Sequence, residues 1–314
     1  YKAVHETENP SMVIDFTIEE GQTVEEIGQS LLDAGLIDNL WYFKYYVRQS
    51  GISSKLQAGE YSIPHNLSLQ DLGELLQHAE FPDIWITIPE GLMTTQVADY
   101  LEEGFAINPE NSFNKTEFLT LATSTSPSIL VDLPIPDNKP LEGFLFPDTY
   151  LFPPDATAEY VLNSLLTNFR ERIYVPHLKD IENSKFSLYE IITLASILER
   201  ETKHPNDRPL VADIMERRLD DGWRLEVDAT LLYHFGDWTH IITHEDLQID
   251  SPYNTRKVGG LPPTPIANPG EETIRAILSP EPNDYWYYIS DSEGTLHYAV
   301  TLEEHNKNIQ LHLQ

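Results

Sequence analysis

SLYEIITLASILERET, residues 187–202, reads as a helix with one residue out of place. Ser187 and Glu190 form an S-x-x-E capping box directly ahead of an apolar run, which marks a helix start. At about 100° per residue, Leu188, Ile191, Ile192, Ala195 and Leu198 share one side, and Thr193, Ser196, Arg200 and Lys203 the other. Glu199 falls within the apolar stripe, where an ionised carboxylate is costly. Desolvation there raises a carboxyl pKa toward neutrality, as a general acid requires. Taken alone, Glu199 reads better as a structural helix-end glutamate held by an Arg or Lys. Glu201, two residues on, projects away from it.

The composition narrows the choices. A chain of 314 residues with 40% hydrophobic and 11% aromatic content is globular, and long enough for two domains. Twenty Lys and Arg against 51 Asp and Glu give a net charge of −31. That balance argues against nucleic acid or an anionic membrane surface as the main partner. With no cysteine, disulfides, thiolate metal sites and a Cys nucleophile are excluded. No apolar run reaches the length of about 18 residues that spans a membrane. A start at Tyr1 rather than Met carries the expectation that a signal or anchor segment has been removed.

Along the chain, strand, turn and short amphipathic helix recur. Residues 1–10 are polar and read as a disordered tail. The first unit has a strand with Val13, Ile14, Phe16 and Ile18, then a helix capped by Thr23 with Ile27 and Leu31. The second runs from Gly59 to Ile63, with Ser68 as cap ahead of Leu72 and Leu76. A looser third follows from Trp85 to Ile88, with Thr94, Val97 and Leu101. An aromatic helix, Trp41 to Val47, lies between the first two, and the boundary is expected near His78–Pro82. An α+β architecture follows, with a small N-terminal domain at 11–80 and a larger one at 84–314. Helices are expected at 115–122, 158–173, 208–221, near Leu231, from Glu271 and from Leu302. Trp286–Ser290 and Leu296–Val300 are expected to form a hairpin around Asp291–Gly294.

Beyond Glu199, four segments carry chemistry. LEGFLFPDTY (141–150) combines Glu142 and Asp148 with aromatic residues, a mixture common to carbohydrate sites and to ordinary cores with surface acids. RLEVDAT (224–230) contains Asp228, which reads more simply as the N-cap of the next helix. Tyr253, Asn254 and Thr255 offer phenol, amide and hydroxyl groups suited to sugar hydroxyls and N-acetyl groups. Gly259 to Gly270, rich in Gly and Pro, reads as a rigid shaped loop of the kind that walls a cleft. The zincin, Walker, dinucleotide-binding and nucleophile-elbow motifs are absent. His240 and His244 have i,i+4 spacing but no matching third ligand, so no metal and no cofactor are expected.

Together, ASILERET, LEGFLFPDTY, SPYNTRKVGGLPPTPIANPG (251–270) and the terminal hairpin leading to Glu304-His305-Asn306-Lys307 resemble the YceG-like endolytic murein transglycosylases. These motifs run in family order from about residue 84 to the C-terminus, and residues 11–80 resemble the LysM-like subdomain that precedes them in the family. The resemblance implies a lyase-type enzyme outside the cytoplasmic membrane, held by an N-terminal helix that this chain lacks. Its expected substrate is nascent peptidoglycan, cut between N-acetylmuramic acid and N-acetylglucosamine to leave 1,6-anhydro ends. Peptidoglycan synthases and division proteins are the expected partners. The resemblance assigns Glu199 as general acid and then base, with Glu142, Asp148, Asp228, Tyr253, Asn254 and Thr255 as substrate-binding candidates. Glu226 stands where relatives often have Gln, and Thr264 where Gly is frequent. The alternatives are a hydrolytic muramidase with Asp148 or Asp228 as second carboxylate, and a non-catalytic glycan-binding or division scaffold.

Overall fold

The computed structural model describes residues 13–65, 67–79, 83–108, 111–123 and 132–313; the expected tail at 1–10 lies outside them. The chain divides into two units, Tyr1–Asp83 and Ile84–Gln314. In the first, β1 (Val13–Ile18) is followed by α1 (Val24–Asp33), α2 (Leu40–Ser50), β2 (Gly59–Pro64) and α3 (Leu69–Leu75). The two strands pair antiparallel, Val13 opposite Pro64 and Ile18 opposite Gly59. Their alternation turns Phe16, Ile18, Tyr61 and Ile63 onto a core shared with Ile27, Leu31, Phe43, Val47 and Leu72. Thr23 and Glu26 form a reciprocal capping box on α1, and Ser68 caps α3. On α2, Phe43 and Val47 are buried while Trp41, Tyr42 and Tyr45 face solvent.

The second unit contains β3 (Ile84–Thr87), α4 (Thr94–Phe105), α5 (Lys115–Ala122), β4 (Thr149–Phe152), α6 (Ala158–Phe169) and α7 (Leu178–Asn183). After these come α8 (Leu188–Glu201), α9 (Arg208–Asp220), α10 (Ala229–Phe235), α11 (Glu271–Leu278), β5 (Tyr287–Ser290), β6 (Leu296–Ala299) and α12 (Leu302–His312). The strand of the third repeat, β3, pairs antiparallel with β4, so the end of LEGFLFPDTY is a strand, with Ile84 opposite Phe152. Its helix α4 starts behind Met93 without a side-chain cap. The expected C-terminal hairpin is formed by β5 and β6, Ser290 opposite Leu296. The chain is thus a mixed α+β structure with small antiparallel sheets.

Helix α8 departs from the amphipathic reading. Every residue from Ile191 to Leu198 is buried, Thr193 and Ser196 included. Burial of these hydroxyls is possible because each has a partner. Thr193 donates to the Tyr189 carbonyl, and Ser196 donates to Thr193 O while accepting the Ile266 amide. A helix covered on all sides is an inner helix; α8 packs against α9, α10 and α11. No helix among the described residues is long and apolar enough to cross a membrane.

Candidate active site

The last turn of α8 sends its two glutamates into different surroundings. Glu199 has a side chain 7% exposed, with both oxygens taken. Its Oε1 accepts Arg208 Nη2 at 3.0 Å; its Oε2 accepts the Gly270 amide at 3.0 Å and the Thr273 hydroxyl at 2.5 Å. Arg208 opens α9 and also reaches Glu272 at 3.4 Å, while Gly270 and Thr273 belong to the start of α11. Glu199 therefore ties three helices together. The geometry matches the plainer reading of Glu199 as a helix-end glutamate held by an arginine. Glu90 lies against Gly270, where a Cβ would collide with its carboxylate. Partial burial and then the Glu199 charge push the Glu90 pKa up.

Glu142 is 5% exposed and sits in a second buried network. Its oxygens accept the Thr94 amide at 2.9 Å, Asn268 Nδ2 at 3.1 Å and the Tyr233 hydroxyl at 3.2 Å. Burial raises its pKa to about 7, against the pull of those donors. The same Asn268 accepts the Gly143 and Leu145 amides and donates to the Leu92 carbonyl. Tyr253 belongs to the edge of this network: its ring lies 5.2 Å from that of Tyr233, and its hydroxyl shares a 2.8 Å bond with Thr264.

Glu201 lies on the wall of a cavity of about 350 Å³. Arg218, Glu226, Asp228, Arg256, Tyr288 and His305 are among the other lining residues. The Tyr288 hydroxyl donates to Glu201 Oε2 at 3.3 Å. Burial, then the Asp228 charge, lift the Glu201 pKa to about 7, although the Tyr288 hydroxyl, the Ala229 amide and Arg256 pull the other way. A carboxyl in that range holds a proton near neutrality and releases it readily. Asp228 caps α10 through its backbone and directs its side chain elsewhere, Oδ1 accepting Arg256 Nε at 2.9 Å and Nη2 at 2.8 Å. The expected side-chain cap is thus replaced by an ion pair. Glu226 holds a left-handed backbone at φ 58°, uncommon for a residue with a side chain. Backbone strain of this sort is concentrated at functional sites.

The other candidates act on the scaffold. Asp148 accepts the Thr149 amide and Asn168 Nδ2, fixing β4 to α6. Asn254 has no exposed surface; its Nδ2 donates to the Leu247 and Ile249 carbonyls, and its Oδ1 accepts the Arg256 amide. That geometry leaves the amide holding the loop, in place of the expected contact with sugar. Thr255 is buried between the Val227 backbone and Thr230. Together Asn254 and Thr255 set the loop that delivers Arg256 to Asp228. His240 is 3.0 Å from Asp246, and the His240–His244 stretch is not helical.

The YceG-like family model matches residues 16–311, and the chain belongs to that family. An endolytic murein transglycosylase of Bacillus subtilis (strain 168) is 33% identical over 94% of this chain and 83% of its own length. One from Streptococcus pneumoniae serotype 2 is 29% identical over 97% of this chain, which spans 59% of that relative's length. A crystal structure of a YceG-like protein from Listeria monocytogenes superposes with a TM-score of 0.61. It is 30% identical, over 94% of this chain and 99% of its own.

Proposed function

We propose that this protein is an endolytic murein transglycosylase in which Glu201, not Glu199, is general acid and then base. Family membership and the names of its relatives support the activity. The observation that carries the residue assignment is the cavity at Glu201, a carboxyl with a pKa near 7 beside a charged Asp228–Arg256 pair. Protonated Glu201 donates to the glycosidic oxygen as the bond from the muramoyl C1 breaks. The ionised Glu201 then takes the proton of the muramoyl 6-hydroxyl, which attacks C1 and closes the 1,6-anhydro ring. No water is consumed, so one carboxyl suffices. Asp228, paired with Arg256, faces the developing positive charge at the sugar ring.

On this reading Glu199 and Glu142 are positioning residues. The first fixes the end of α8 and the second its supporting loops. The N-terminal unit is read as LysM-like, and the substrate places its action outside the cytoplasmic membrane. One observation favours a second reading: Asp228 lies close enough to raise the Glu201 pKa. Two neighbouring carboxyls are also the equipment of a hydrolytic muramidase.

Mass spectrometry of products from purified glycan strands separates the cases. Anhydromuramoyl ends are expected from the wild type and from Glu199→Gln, while Glu201→Gln yields none. Reducing ends from the wild type identify a muramidase. Full activity of Glu201→Gln removes the assignment.

A further inference from the structure

We propose that Asp291, His297 and His312 form a binding site for a divalent transition cation of the zinc class. The three residues lie at the turn of the β5–β6 hairpin, on β6 and at the end of α12, each partly buried. One ligand atom from each lies within 4.8 Å of the others. Zinc bonds of about 2.0–2.2 Å need donors roughly 3.4 Å apart in a tetrahedral site, so modest side-chain rotation closes the set. The carboxylate is already oriented. Asp291 Oδ1 accepts the Glu293 and Thr295 amides, both at 2.9 Å, and this leaves Oδ2 2.9 Å from His297 Nε2. Backbone donors that fix a ligating carboxylate are the outer support that metal sites use.

The two imidazoles are stacked, with ring centroids 3.5 Å apart and planes 11° from parallel. Stacking brings both rings beside the Asp291 carboxylate, so that one nitrogen of each lies in the same neighbourhood. Two imidazoles and one carboxylate suit zinc, nickel or copper and disfavour magnesium and calcium, which take oxygen ligands. Sequence spacing hides the set, because His297 and His312 are separated by most of α12.

A cation here has a structural consequence. Helix α12 buries none of its residues and rests on the hairpin. Its His305 and the following Leu313 line the cavity of Glu201. A bound ion ties the end of this segment to the hairpin and stiffens that wall, whatever reaction the cavity supports.

Calorimetric titration of the whole chain, without an affinity tag, tests the site with zinc chloride and with magnesium chloride. One saturable zinc equivalent and no magnesium binding are expected. His297→Ala and His312→Ala should each weaken zinc at least about tenfold, while His240→Ala, at the separate His–Asp contact, leaves it unchanged. Zinc affinity equal to wild type in both ligand variants, or no saturable zinc binding, overturns the site. Cobalt absorption on the unmutated protein needs no variant to fold: intense tetrahedral bands are expected, and a spectrum like that of free cobalt counts against the proposal. Zinc should also slow amide exchange across 302–312, and unchanged exchange there refutes the link to α12.

Discussion

Glu199 and Glu201 occupy one helical turn, separated by Arg200, and their environments have little in common. Glu199 receives a guanidinium, an amide and a hydroxyl, and joins α8 to α9 and α11. Glu201 has the Tyr288 hydroxyl, a negative neighbour in Asp228 and a cavity in front of it. Arg200 departs in its own direction, its guanidinium 4.1 Å from the Trp238 ring centroid. The lesson is that side-chain type and helical position do not make a proton donor. Surroundings do, and on the proposed reading they divide two identical side chains into a tie and an acid.

The widest separation between the two is expected from chemistry. Glu201→Gln should lower glycan cleavage roughly 100- to 10,000-fold with an unchanged melting temperature, read by product mass spectrometry and circular dichroism. A comparable loss in a fully stable Glu199→Gln would invert the comparison. Next in size is the tie. Arg208→Ala leaves Glu199 buried without its cation, and urea unfolding should show a loss of about 3–5 kcal/mol, the usual result of breaking a buried pair.

Acid–base behaviour sharpens the contrast further. Cleavage should fall as pH rises through about 7, where Glu201 loses its proton. Asp228→Asn removes a charge that raises this pKa, so the alkaline limb of the rate profile should move to lower pH. The smallest effect is on stability. Buried Glu142 has a folded pKa of about 7, above its ordinary 4.5, so the folded state retains a proton that the unfolded chain gives up. Its stabilisation is complete below about 4.5 and is lost as pH rises to about 7. Glu142→Gln should flatten part of that decline in urea titrations, leaving the part due to Glu201.

Local rules made much of the architecture readable. The Thr23 and Ser187 capping boxes are present, and α5, α9, α11 and the β5–β6 hairpin lie where periodicity and turn residues place them. The partner of β3 was not readable, because β4 follows it by some sixty residues and lies inside a segment whose aromatics read equally as core. The helical wheel separated Glu199 from Glu201 in direction, but no local pattern says that Arg208, Gly270 and Thr273 meet the first. Nor does one say that Tyr288 meets the second. The plainer reading of Glu199, a glutamate held by an arginine, was available from the sequence and agrees with the geometry. For Asn254, a polar side chain in a Pro-rich loop gives no sign of whether it faces sugar or its own backbone.

The cavity at Glu201 is built from chain segments made late. Its walls come from the end of α8, the 226–228 turn, Arg256, the β5–β6 hairpin, His305 in the first turns of α12 and Leu313 just beyond that helix. Tyr288, His305 and Leu313 are separated from Glu201 by about a third of the chain, so loop closure must finish before the acid has its enclosure. An unfinished chain or one clipped before the hairpin carries the glutamate without the walls that give it a proton-holding environment. The proposed acid therefore gains its surroundings only once the C-terminal hairpin is in place.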